Sequence, residues 1–337
     1  MFKIQSQGHW PEFDQVLCGD MTDRQRLGLP DYYVADRFSD MTHSLYAQLN
    51  GLSAQALVEL IENQVQTLPI RLVAGNLLAL LGDPRIDTTN PAMIEIPASQ
   101  AWIGLDHAAV TQVLLDFDKL GLNASWIEKE CPRHQVTLVA YRIGKYPVTN
   151  QEYRDFLIEA QYPEIPSSWS FRRFPIERSN HPVYTLSAQA CDAYVDWLSK
   201  KTGRDFHLPT EAQWEFATSG NDNREFPWGS EFNVNYTNTC ETGIFDTTPV
   251  GIFHEGVSYF SVHDMAGNVE EYVADSYQAY PNGNEIEDHL SQIHGEYRVA
   301  RGGSFARFRD LARNRRRHGH NPRSQTYAMG FRLAERI

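Results

Sequence analysis

Seven short motifs in fixed order constrain this chain more than any other feature. They are YPVTNQEYRDF (146–156), HPVYTLSAQACDAYVDWL (181–198), HLPTEAQWEFA (207–217), FPWG (226–229), DMAGNVEEY (264–272), RGGS (301–304) and GFRLA (330–334). Each carries local instructions. Thr149-Asn150 ends a strand over 136–141 and caps a helix running through Phe156. Ser187 opens a helix that puts Cys191, Tyr194, Val195 and Leu198 on one face. Thr210 with Gln213 makes a capping box for a short helix burying Trp214 or Phe216. Beyond Gly220 the chain is rich in Gly, Asn, Asp and Pro and reads mostly as loops, which is where function tends to sit.

Upstream, Met93 to Pro97 reads as a first strand. Ser53 caps a helix with apolar positions Leu57, Leu60, Ile61, Val65 and Leu68. A second helix, Ile70 to Leu81, stops at Gly82-Asp83-Pro84, and a linker follows to Pro91. The predicted organisation is a small helical segment over residues 1–88 and an α+β domain over 89–337, with few regular elements and long loops.

Composition narrows the function. No apolar run approaches the ~20 residues of a membrane helix. The N-terminus has neither a basic nor an apolar signal region, so a cytoplasmic location without membrane partners is expected. A net charge of −13 argues against nucleic-acid binding. Against that background Arg301, Arg307, Arg309, Arg313, Arg315, Arg316 and Arg317 cluster around a single acid, Asp310. Such a cluster fits either a pocket for a phosphate, carboxylate or planar heterocycle, or a solvated basic edge. Cys18, Cys131, Cys191 and Cys240 lie far apart in sequence, so neither a disulfide framework nor a cysteine zinc site is expected.

The ordered motifs resemble the formylglycine-generating-enzyme (sulfatase-modifying factor) family, a C-type-lectin-like fold, over residues 92–337. The resemblance implies a structural calcium ion held by Asp264, Gly267, Val269 and Glu271, with a looser second site around Asn238 to Asp246. It places Ser304 near a reaction centre. The two copper-binding cysteines of the family fall at Arg307 and Ala312, which cannot bind copper(I) or exchange a disulfide, so sulfatase modification is not expected. Where the family has an active-site tryptophan this chain has Glu270. A carboxylate there needs a cation or a metal. His318 and His320, on a loop that crosses the active-site face in the family, complete a candidate set for iron, cobalt or copper. The helical pair resembles a lead-in seen before some family members and serves packing or a homodimer contact.

These readings lead to a metal-dependent oxidoreductase acting on a small anionic or heteroaromatic metabolite. Relatives of this fold without the copper cysteines act in natural-product pathways such as toxoflavin-type azapteridine synthesis. Glu270, Ser304 and Arg307 are the expected catalytic residues, and Arg309, Arg315, Arg316 and Tyr272 the expected substrate contacts. A non-catalytic C-type-lectin-like binding module is the alternative.

Overall fold

A computed structural model describes residues 23–30, 32–320 and 327–337. Cys18 lies outside them. Short helices and strands alternate with loops. The helices are α1 (Asp23–Arg26), α2 (Ser39–Leu49), α3 (Ala54–Glu62), α4 (Leu68–Leu81), α5 (Val110–Asp116), α6 (Ala124–Glu128), α7 (Asn150–Ala160), α8 (Ala188–Thr202), α9 (Glu211–Ser219) and α10 (His289–His294). The strands are β1 (Met93–Ile96), β2 (Ser99–Ile103), β3 (His134–Leu138), β4 (Tyr141–Gly144), β5 (Phe206–His207), β6 (Glu270–Ser276), β7 (Arg298–Arg301), β8 (Met329–Phe331) and β9 (Ala334–Arg336). They form a sheet of order β1-β4-β9-β5, a β2-β3 hairpin and a sheet of order β7-β6-β8. The mixed helix-and-sheet fold agrees with the expected α+β class.

The capping signals decide where helices start. Ser53, Thr149, Ser187 and Thr210 each accept a backbone N–H of the following first turn. Thr149 with Glu152 and Thr210 with Gln213 close reciprocal capping boxes. α9 buries both Trp214 and Phe216, not one of them. The strand expected over 136–141 is two strands, β3 and β4, because β3 pairs with β2 while β4 pairs with β1 and β9. Val65, expected on the buried helical stripe, is exposed in the break between α3 and α4.

The N-terminal helices are packed onto the rest of the chain. Phe38, Leu57, Ile61, Leu72 and Leu78 share a core with Ile252 and Phe253. A Cβ at Gly75 would lie 2.6 Å from Pro249, so only glycine lets α4 approach this closely. Ser179 donates to the Ala79 carbonyl at 2.6 Å, and the Asn180 amide donates to the Gly75 carbonyl at 3.0 Å, latching the two parts together.

The C-terminal motifs hold the β7-β6-β8 sheet. Gly302 and Gly303 adopt φ of 94° and 64°, turning the chain sharply out of β7. Arg332 is fully buried. Its Nε and Nη2 donate to the two carboxylate oxygens of Glu271, both at 2.6 Å, and it also donates to the carbonyls of Gly144 and His263. Among the described residues no helix is long and apolar enough to cross a membrane.

Candidate functional site

β6 begins at Glu270, and its neighbours explain how the site assembles. β8 runs parallel to it, with Glu270 opposite Met329. β7 runs antiparallel, and beyond it Ala300 and His318 exchange backbone hydrogen bonds at 2.8 and 3.1 Å. That bridge brings the His318 imidazole to Glu270. The turn after Ser304 brings Arg307 to the same carboxylate, its backbone N–H held by the Ser304 carbonyl at 3.0 Å. Glu270 itself is fully buried.

Both oxygens of Glu270 are engaged. Arg307 donates through Nε to Oε1 at 3.0 Å, and His318 Nδ1 lies 2.5 Å from Oε2. Burial alone would raise the carboxyl pKa, but in acid, where His318 is protonated, the His318 and Arg307 charges and their hydrogen bonds outweigh it and hold it at about 2. Glu270 is therefore a carboxylate at neutral pH and only accepts, so Nδ1 of His318 must carry the shared proton. Burial lowers the pKa of His318 and outweighs the pull of Glu270, which favours the neutral ring. Its Nε2 is then a lone-pair site, since the ring's hydrogen bond to Glu270 is made through Nδ1. Arg307 uses only Nε on Glu270 and is partly exposed, which leaves its Nη groups for an anion.

A cleft of about 180 Å3 is lined by Ser167, Ser168, Tyr184, Thr185, Phe305, Ala306 and Ala328; Glu270, Arg307 and His318 are not in its wall but are joined to it through the chain. Ala306 runs directly into Arg307, and the Ala328 carbonyl accepts the Glu270 N–H at 2.8 Å. The Tyr184 and Phe305 rings meet edge to face at 5.6 Å. Thr185 sits at φ 62°, a left-handed conformation costly for a β-branched residue. Its hydroxyl accepts the Ser168 N–H at 2.8 Å and donates to the Tyr184 carbonyl at 2.6 Å, which holds it there. Ser304 is fully buried, with no partner for its Oγ among the described residues.

Several expectations need correction. Glu270 and His318 come together, but His320 packs against the Tyr327 ring, with centroids 3.9 Å apart. Among the described residues no three His, Cys, Asp or Glu side chains are grouped to hold a metal. The set Glu270, His318 and His320 therefore does not fit a transition metal: the carboxylate already serves Arg307, whose charge would repel a second cation. The two carboxylates expected to hold calcium have protein partners. Glu271 gives both oxygens to Arg332 and accepts the Trp214 indole N–H at 2.7 Å, while Asp264 accepts the Gly251 N–H at 2.7 Å. With the Arg332 guanidinium also within 3.3 Å of the Asp264 carbonyl, calcium would be placed beside a fixed positive charge. Gly267 instead contributes a close approach: at φ 76°, a Cβ would lie 2.4 Å from the Thr237 hydroxyl. The Val269 side chain is buried.

The arginines expected to bind substrate are mostly framework. Arg315 pairs with Glu225 at 3.0 Å, and Arg316 lies buried against Asp310 and the Trp126 carbonyl. Arg309 pairs with Glu241 at 3.2 Å and covers the Phe232 ring. Arg301 and Arg317 share Glu211, and Arg313 grips Glu130 with two bonds of 2.9 and 3.0 Å. Tyr272 is buried in the core beside Phe331 and Leu333. The sequence reading missed the acids that answer these arginines. Glu211 and Glu215 lie four apart on α9, next to the buried Trp214, and that spacing was the available signal.

Residues 82–337 match the sulfatase-modifying factor enzyme 1-like domain. The chain belongs to that family. Its fold agrees with PvdO from Pseudomonas aeruginosa, at a TM-score of 0.54, 24% identity, and coverage of 74% of this chain and 95% of that one; this likeness shows the fold. Among curated relatives, the serine/threonine-protein kinase Pkn1 of Chlamydia trachomatis is 31% identical over 62% of this chain, and the match spans only 35% of the kinase's length. The inactive C-alpha-formylglycine-generating enzyme 2 of Mus musculus is 27% identical, covering 77% of this chain and 91% of that protein. The hercynine oxygenase of Mycobacterium tuberculosis is 27% identical, covering 62% and 55%. Ala312 is buried in the core. Cys131, Cys191 and Cys240 are free and buried.

Proposed function

We propose that this protein is an oxygenase-type oxidoreductase that uses dioxygen to oxidise a small anionic or heteroaromatic metabolite at the cleft beside Glu270. The observation that carries this reading is the buried Glu270 carboxylate holding the Nδ1–H of His318, which leaves Nε2 as a base. The likeness to hercynine oxygenase supports the reaction class. In this reading His318 takes a proton from substrate, and Glu270 fixes the ring and steadies the charge it gains. Arg307 offers its Nη groups to an anionic group, and the Tyr184 and Phe305 rings favour a flat substrate. Ser304 supplies a buried hydroxyl next to the Arg307 turn. A natural-product substrate of the azapteridine type and a requirement for iron, cobalt or copper belong to the same proposal, although the described residues offer no ligand set for the metal.

The test combines elemental analysis of purified protein with oxygen uptake on a panel of anionic heteroaromatics. Uptake that falls about a hundredfold or more in His318→Ala supports the reading, since a positioned acid–base group contributes ~10²–10⁴. Binding without oxygen uptake for any compound overturns it and supports a non-catalytic module. The Glu270–Arg307 pair favours that second reading in one respect, because each charge neutralises the other before any substrate arrives. So does the likeness to a mouse protein named as inactive.

A further inference from the structure

A larger groove, about 410 Å3, lies along the seam between the end of α4 and the segments around α7 and Phe174. It shares no lining residue with the cleft beside Glu270. Its apolar part is open to solvent. Leu80 and Leu81, the last residues of α4, are 52% and 60% exposed, and Ile176 is 56% exposed. Adjacent exposed leucines next to a concavity of this size differ from scattered surface apolar residues and fit a ligand groove.

The charge in the groove is equally specific. Arg154 lies over the Phe174 ring, its guanidinium carbon 4.8 Å from the centroid, and makes no ion pair among the described residues. The nearby acids are taken. Asp83 pairs with Arg85 and accepts from Asn180, Asp155 accepts from Thr88 and Gln151, and Glu152 closes the Thr149 cap. In a chain of net charge −13, the Arg154 guanidinium is thus held against an aromatic face with no carboxylate partner among the described residues. A guanidinium in this setting presents a planar fork matched to a carboxylate.

We infer that this groove is a second ligand site for a small amphipathic carboxylate. The acid group is held by Arg154 and the apolar tail lies along Leu80, Leu81 and Ile176. The site does not rest on the oxidoreductase reading. Because α4 supplies one wall and the domain the other, an occupant would tie the two parts together.

The probes are decanoate, decanol and acetate, measured by calorimetry on the full chain. Decanoate is expected to bind about tenfold or more tighter than decanol, as a charge-assisted hydrogen bond of ~1.5–3 kcal/mol implies, and acetate not measurably. Arg154→Gln should remove the preference for decanoate. Arg154→Glu should reverse it in favour of decylammonium, a gain that misfolding cannot produce. Equal affinity for decanoate and decanol, decanoate binding unchanged in Arg154→Gln, or no binding of any probe would each overturn the assignment.

Discussion

Replacing Glu270 by glutamine removes a charge and almost no volume, and its consequences can be worked from the geometry. The carboxyl is held at about 2, against an ordinary value of 4.5, by the net effect of burial opposed by His318 and Arg307. Part of that gap is the charge of a protonated His318, and the ring is neutral at pH 7, so at neutral pH only the Arg307 charge and the two hydrogen bonds act and the contribution is below the roughly 3 kcal/mol of the full gap. Breaking a buried ion pair often costs ~3–5 kcal/mol, but Arg307 and His318 keep some access to water and can be rehydrated. The expected loss in Glu270→Gln at pH 7 is therefore about 2 kcal/mol. Because the folded pKa is depressed, the contribution is complete above the unfolded value of about 4.5 and is lost as pH falls through about 2. The gap between wild type and variant should fall to roughly half by pH 3. Urea unfolding followed by tryptophan fluorescence at pH 7, 5 and 3 measures it. A gap below ~1 kcal/mol at pH 7, or one that stays constant into acid, would refute the assignment of Glu270 as a buried paired carboxylate.

Arg313→Met should lower stability by about 3–5 kcal/mol in the same assay, because it leaves the fully buried Glu130 without its partner. Gly267→Ala should cost several kcal/mol, combining a positive φ of 76° with a Cβ 2.4 Å from the Thr237 hydroxyl; a thermal midpoint unchanged from wild type would contradict that geometry. Ser304→Ala should change stability by less than ~1 kcal/mol, since its hydroxyl has no partner to lose, while reducing turnover if the hydroxyl meets substrate or oxygen.

Much of the fold was readable because its signals are local. The Thr149 cap and the Thr210–Gln213 box act within four residues of themselves, and each does in the structure what its spacing implies. The site was readable only in part. Glu270 stood out as a carboxylate in an aromatic motif, and the structure gives it a cation and an imidazole. What the sequence did not reveal is which arginine would serve which acid. Arg301, Arg313, Arg315 and Arg317 meet Glu130, Glu211, Glu215 and Glu225 from 86 or more residues away, so an apparent ligand cluster is an internal ion-pair frame. Pairings over that distance leave no periodicity to read. The cleft is similar: Thr185 and Ser168 face Phe305 and Ala328 only because the loops fold together.

The central claim is that Glu270 fixes the Nδ1–H tautomer of His318 and leaves Nε2 as a base. Histidine nitrogen chemical shifts from protein labelled with nitrogen-15, compared with His318→Ala for assignment, test it without needing a substrate. The account predicts a neutral His318 ring at pH 7.5 with Nδ1 protonated and Nε2 bare, and a change in that pattern in Glu270→Gln. A ring protonated on Nε2 instead, or a spectrum indifferent to Glu270→Gln, would contradict it.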